Sequence, residues 1–248
     1  MAGRVALITG AGRGIGLSAA KLFLQNNYRV FVSDLNLDKA RQELQSTPND
    51  LIGFLETDVT KEDQVEAMTQ AALKQFGQVD AAICNAGILS PIVPWLDSPH
   101  EDIDKMLSVN VKGAWLTAKH AVAAMRASPS AGKGCSLTFV ASVASLYGQP
   151  GMSAYCASKW AVRGLSLTAA AEFAHYGIRS NCIQPGATAT EMFASFPPEL
   201  QTAVKASVPL GRAADPLEIA QVMLFLAGEQ SSFMNGSTVA VHGGQTPT

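Results

Sequence analysis

No stretch of the 248-residue sequence supplies the ~18 consecutive apolar residues that a bilayer-spanning helix needs. Eighteen basic residues against twenty acidic ones leave a net charge of −2, and no segment gathers lysines and arginines into a stripe. That balance excludes a nucleic-acid footprint and a polybasic membrane patch. The four cysteines, Cys84, Cys135, Cys156 and Cys182, show no Cys-x-x-Cys or metal-like spacing, so reduced thiols inside the fold are expected. The four histidines are scattered and lack a His-Glu-x-x-His pattern, which leaves no metal site to predict. Two segments, Gly151-Met-Ser-Ala-Tyr155 and Gly164-Leu-Ser-Leu-Thr168, approach the nucleophile elbow of serine hydrolases but lack its closing glycine. The first strand reads as starting within a few residues of Met1, leaving no room for a signal peptide, so a cytoplasmic location is expected.

What is present is a large apolar fraction, 48%, arranged in alternation. Strand-like runs near 4–9, 28–34, 51–56, 79–84, 136–141, 178–183 and 237–241 alternate with helical patterns, the longest at about 100–127 and 152–176. Such alternation predicts an α/β fold: a doubly wound parallel sheet of about seven strands with helices on both faces, in one domain over residues 1–248.

The first strand, Arg4-Val-Ala-Leu-Ile-Thr9, runs into Gly10-Ala-Gly-Arg-Gly-Ile-Gly16 and then a helical pattern. Glycines let the backbone turn sharply and approach a pyrophosphate, whose charge the N–H groups of the following helix receive. The strict G-x-G-x-x-G pattern is not met, since Ile15 and Leu17 stand where its last glycine would fall; Thr-Gly-x-x-x-Gly-x-Gly, with Thr9, Gly10, Gly14 and Gly16, is. A Walker P-loop is excluded because no Gly-Lys-Ser/Thr follows. The second strand ends at Asp34, eighteen residues after Gly16, where a carboxylate accepts from ribose hydroxyls and repels a 2′-phosphate. Arg13, in the glycine turn, would favour that phosphate instead. Asp34 ranks above it, because the next residue, Leu35, supplies no compensating cation. NAD is therefore expected ahead of NADP.

In Tyr155-Cys-Ala-Ser-Lys159, a phenol and an ammonium lie four residues apart on one helix face. A cation ~4 Å from a phenol, at an effective dielectric of ~20, contributes ~4 kcal/mol, or ~3 pKa units, enough to bring a tyrosine of pKa ~10 into range for proton transfer.

With these marks the chain resembles the short-chain dehydrogenase/reductase family, with its Rossmann-like fold, from Arg4 to Gly243-Gly244. Further motifs recur in order: Asp58-Val59, Cys84-Asn85-Ala86-Gly87, Asn110 in Ser-Val-Asn-Val, Ser142 in Val-Ala-Ser-Val thirteen residues before Tyr155, and Pro185-Gly186. Cys84 departs from the family's more frequent asparagine, and His242 from its frequent acidic residue. The resemblance implies a catalytic set of Asn110, Ser142, Tyr155 and Lys159. Tyr155 would exchange the proton, Ser142 would bind the substrate oxygen, Lys159 would also hold the nicotinamide ribose, and Asn110 would fix a water linking Lys159 to solvent. The implied cofactor contacts are Gly10, Arg13, Gly14, Ile15, Gly16, Asp34, Asp58 (to the adenine amino group), Val59, Asn85, Tyr155, Lys159, Pro185, Gly186, Thr188 and Thr190, with Ile183 bordering the nicotinamide. Ser145 competes with Ser142, but only Ser142 has the family spacing.

The resemblance further implies a homotetramer or homodimer packed through the alanine-rich helices. Residues 187–216, with Met192, Phe193, Phe196 and Leu200 beside Pro197-Pro198, read as a substrate lid. Segments 88–95 and 143–149, with Met152 and this lid, are mainly apolar or aromatic, so the expected partner is a neutral, fairly hydrophobic alcohol or ketone. An acyl chain on a carrier protein suits less well, since Leu167–His175 holds no lysine or arginine to dock an acidic partner. Two rivals stay open: an NADP-dependent carbonyl reductase, and a non-catalytic nucleotide-binding protein that keeps only the fold.

Overall fold

The computed structural model describes residues 3–245. Seven strands, β1 (Val5–Thr9), β2 (Arg29–Asp34), β3 (Ile52–Glu56), β4 (Ala81–Cys84), β5 (Ser136–Val140), β6 (Arg179–Pro185) and β7 (Thr238–Val241), form one sheet in the order β3-β2-β1-β4-β5-β6-β7. Every pairing is parallel. The helices are α1 (Gly14–Gln25), α2 (Asp38–Glu43), α3 (Glu62–Phe76), α4 (His100–Met106), α5 (Gly113–Ala127), α6 (Ser153–Phe173), α7 (Glu191–Ala194), α8 (Pro198–Ala206) and α9 (Pro216–Ala227).

The strand pattern explains the two-sided core. In β1 every side chain is buried: Val5 and Leu7 join a cluster with residues of α3, α5 and α6, while Ala6 and Ile8 join one with α1 and α9. β4 divides the same way, Ala82 and Cys84 to the first cluster, Ala81 and Ile83 to the second. A strand read as a continuous apolar run is thus apolar because both its faces are covered. Each fully buried Leu, Ile or Phe contributes about 1.5–3 kcal/mol of burial, so the sheet is the rigid part on which the loops sit. The chain turns from β1 toward β2 on one side and reaches β4 on the other, which opens a crevice at the carboxyl ends of β1 and β4.

One element departs from the sequence reading. The stretch 100–127 is not a single α-helix: α4 stops at Met106, Leu107–Lys112 winds as a π-helix, and α5 resumes at Gly113. The wider turn carries Asn110, whose amide accepts from Ile88 N at 2.8 Å and donates to Ile88 O at 3.0 Å in the loop after β4. A π turn placed at a functional position is a recurrent use of this geometry. Among the described residues no helix is long and apolar enough to cross a membrane.

Candidate active site

The ends of six neighbouring strands, β3-β2-β1-β4-β5-β6, deliver the sequence-predicted residues to one edge. At β1, Gly10 adopts φ +65°, and a Cβ there would meet Ala86 Cα at 2.7 Å, so only glycine lets the turn lie against β4. Asn85 fastens the contact: its Nδ2 donates to Thr9 O at 2.9 Å and Gly10 O at 3.0 Å, while its own N–H reaches Thr9 Oγ1. Asn85 therefore shapes the turn from beneath.

Above the turn, α1 begins without a capping side chain at Arg13 and without an acidic residue in its first turn. Its first N–H groups and the positive end of its dipole are left for an anion. Asp34, at the end of β2, accepts from Gly12 N at 2.9 Å. Gly12 has no room for a side chain, since a Cβ would stand 2.2 Å from Asn36 O and 2.9 Å from Asp34 Oδ2. Arg13 is exposed, and the nearby Lys39 is paired with Glu191 at 2.5 Å. After β3, Asp58 Oδ1 accepts from Thr60 N at 2.9 Å and Thr60 Oγ1 at 2.7 Å. Partial burial pushes the Asp58 pKa up, but these two bonds and the charges of Lys61 and Lys112 outweigh it and hold the carboxyl below its usual range. Val59 beside it is buried against Gly113.

A nicotinamide dinucleotide is the group this fold implies, and the residues fit it. A glycine turn with no side chain in the way, uncapped N–H donors and a carboxylate at the second strand's end match its diphosphate and ribose. Ile15 and Gly16 lie in the first turn of α1, with Gly16 pressed on Gly10 O. Across the crevice, Pro185 closes β6; a Cβ on Gly186 would meet His242 Cβ at 2.9 Å. Thr188 is buried and donates to Gly186 O at 3.0 Å, and Thr190 caps α7 through Phe193 N and faces Gly14, whose Cβ would come 3.3 Å from Thr190 Cγ2. The start of the 187–216 segment thus rests on the glycine turn.

The four candidate catalytic residues converge beyond β4 and β5. Ser142 sits just after β5 at the start of a 3₁₀ turn, Val143–Ser145, where its Oγ accepts from Ala144 N at 3.2 Å. Tyr155 and Lys159 share a face of α6, with the Lys159 ammonium 5.7 Å from the Tyr155 ring centroid. Asn110 Nδ2 donates to Ser158 Oγ at 3.0 Å, and Ser158 Oγ donates to Tyr155 O at 2.8 Å, which ties the π turn to α6. A Cβ on Gly87 would lie 3.3 Å from both Asn110 Oδ1 and Lys159 Nζ, so glycine there keeps the space between amide and ammonium open. Ser145 is withdrawn from the crevice: fully buried, its Oγ donates to Ser142 O at 2.6 Å and accepts from Gln184 Nε2 at 2.8 Å.

Burial raises the Tyr155 pKa, and the hydrogen bond with the Ser142 hydroxyl lowers it in part. Lys159 is 5% exposed, donates to Val140 O at 2.9 Å, and burial pushes its own pKa down to about 8. The ammonium donates to a backbone carbonyl of β5 and lies 5.7 Å from the Tyr155 ring centroid.

On the far wall, the 88–95 loop is zipped to the loop before α6 by Val93 N to Gly151 O at 3.0 Å, with Ile92 against Gly151. Trp95, expected to face the substrate, stands 77% exposed on a surface 3₁₀ turn instead. Sequence reasoning missed Ser158, Gly12 and Gln184. Ser158 was signalled by its place three residues after Tyr155 on one helix face; Gln184 carried no local signal, because its partner lies 39 residues away.

Comparison with known proteins agrees with this fold. Residues 10–246 match the family model described as enoyl-(acyl carrier protein) reductase. A short-chain dehydrogenase/reductase of Armillaria gallica is 36% identical over 98% of this chain and 95% of its own length. Cyclopentanol dehydrogenase of a Comamonas species is 34% identical over 98% and 97%. The crystal structure of levodione reductase superposes with a TM-score of 0.89 at 30% identity, covering 98% of this chain and 97% of that one.

Proposed function

The chain belongs to the short-chain dehydrogenase/reductase family of oxidoreductases, and from that premise we propose that it interconverts a secondary alcohol and a ketone on a neutral, fairly hydrophobic small molecule, using NAD(H). The observation that carries this reading is the meeting of Asn110 and Lys159 at Gly87 and of Ser142 with Tyr155, beside a glycine turn whose helix is left uncapped.

When bound, the nicotinamide supplies or takes up the hydride. The chain's own groups manage the proton and the substrate oxygen. Ser142 Oγ, held at the lip of its turn, donates to that oxygen. Tyr155 gives the proton in reduction and takes it in oxidation, the role of a positioned general acid–base. Lys159 holds the nicotinamide ribose, and turning its ammonium from Val140 O toward the crevice would bring the Tyr155 pKa down. Asn110 keeps the Ile88 loop in place and presents Oδ1 to the gap over Gly87, where a water would join it to Lys159.

NAD ahead of NADP is supported by Asp34 at the end of β2, held against the glycine turn by Gly12 N, and by the engagement of Lys39 with Glu191. The uncharged walls, 88–95 and 143–149, support a neutral substrate. Leu107, Trp115, Trp160 and Leu167, all exposed on the π turn, α5 and α6, support association of copies through these helices. Cyclic alcohols and ketones are natural first members of a screen, since one relative, cyclopentanol dehydrogenase, is named for such a substrate. Absorbance of the reduced nicotinamide across a panel of alcohols and ketones, each with NAD(H) and NADP(H), tests the proposal. Turnover of a neutral ring substrate with NAD(H) is expected; activity confined to acyl thioesters or to NADP(H) would overturn it.

A further inference from the structure

We propose that Gln184, backed by Arg163, is a positioning residue for the Ser142 hydroxyl and acts through Ser145; this rests on the reading of Ser142 as the group that holds the substrate oxygen. Gln184 lies in β6 immediately before Pro185 and is 1% exposed. Its Nε2 donates to Ser145 Oγ at 2.8 Å and to Ser145 O at 3.3 Å. Ser145 then holds Ser142 twice, from Oγ to Ser142 O at 2.6 Å and from N to the same carbonyl at 2.8 Å. Arg163, on the α6 face that carries Tyr155 and Lys159, reaches Ser145 O with Nη1 at 3.4 Å.

The consequence is mechanical. Ser142 Oγ accepts from Ala144 N inside the same 3₁₀ turn and meets the Tyr155 hydroxyl across the site, so the hydroxyl goes where the turn goes. The turn in turn is bolted to β6 beside Pro185 and Gly186, and to α6 two turns beyond Tyr155. A buried amide placed there joins the wall for the nicotinamide, the proton-transferring helix and the serine into one body. An apolar residue of the same length would fill the volume and leave Ser145 O and Oγ without their principal donor.

The test is Gln184→Met, assayed in the full-length protein in both the wild-type and the Ser142→Ala background. Turnover number, KM for substrate, cofactor affinity and thermal midpoint are measured for each. In the wild-type background kcat should fall on the order of tenfold, the cost of a displaced reacting group, with cofactor affinity held within about twofold. In the Ser142→Ala background the same substitution should change kcat by less than about twofold, because the group it positions is already gone. A polar plug of the core would lower the thermal midpoint and affect kcat equally in both backgrounds, and that result overturns the assignment. So does a kcat unchanged in the wild-type background. If Gln184→Met does not fold, Arg163→Met at its partly exposed site takes its place in the same cycle, with a smaller loss that must also vanish without Ser142. A Ser142→Ala protein with full turnover would remove the underlying reading of Ser142 and this assignment together, whereas a crippled Ser142→Ala beside an indifferent Gln184→Met removes the assignment alone.

Discussion

Lys159 is a buried amine with no carboxylate beside it among the described residues, and this makes the free protein less stable than it could be at neutral pH. Burial pushes its pKa from 10.5 to about 8, a depression that corresponds to roughly 3 kcal/mol between the charged and neutral forms. The unfolded chain binds the proton more tightly than the folded one between these two values. Stability of the wild type therefore rises with pH across that window, and the penalty is fully present below pH ~8. Replacing Lys159 by Met keeps the length and removes the charge, at the loss of the 2.9 Å bond to Val140 O, worth about 1 kcal/mol. Net, Lys159→Met should be more stable than wild type at pH 7 by about 1–3 kcal/mol, while turnover and cofactor affinity collapse.

Urea unfolding of the cofactor-free proteins at pH 7, 8.5 and 10, at one protein concentration, checks the sign. The difference between the two proteins should shrink by on the order of 2 kcal/mol over that range. Groups common to both proteins cancel in the comparison, and the Cys182 thiol next to Lys159, raised to about 11, titrates above the window. A stability gap that stays flat with pH, or a wild type already the more stable at pH 7, would refute the reasoning.

Three further outcomes follow from the same geometry. Asp34→Ala should weaken NAD use and improve NADP use relative to wild type, and should also loosen the turn held by the Gly12 bond; steady-state kinetics with both cofactors decide it, and a wild type that already prefers NADP by about tenfold, ~1.4 kcal/mol, would show that Arg13 outranks Asp34. Tyr155→Phe should keep fold and NAD binding but lose at least the ~10²-fold that general acid–base catalysis supplies, with a Tyr155→Phe/Lys159→Ala double mutant no slower than the worse single mutant; near-wild-type turnover by Tyr155→Phe would sink the assignment. In the 187–216 segment, Phe193 and Val208 are buried whereas α8 between them buries no residue, so hydrogen exchange in residues 198–206 should slow when cofactor and substrate bind, and unchanged exchange there would remove the case for a lid.

The parts of the fold that were legible are those set by repetition along the chain. Seven apolar runs separated by helical patterns predicted seven parallel strands because burial on both faces leaves no polar positions in a strand, and β1 buries all five of its residues. The glycine turn was legible because steric exclusion acts locally: Gly10 has to lie on Ala86, and no other residue can. What stayed hidden depended on orientation across the sheet. Periodicity over 100–127 fits an unbroken helix, since the π turn at Leu107–Lys112 is favoured by a bond from Asn110 to Ile88, 22 residues earlier. Spacing alone put Lys159 on the face of Tyr155, yet which way an ammonium on a flexible stem points is decided by whichever acceptor the fold provides, here Val140 O from a different strand. The same holds for Ser142 and Ser145: one motif offers two hydroxyls, and that of Ser145 is engaged by Ser142 O and by Gln184, which arrives from β6. Local sequence thus specifies which groups are available for chemistry, and the neighbouring strands determine which of those groups stay free.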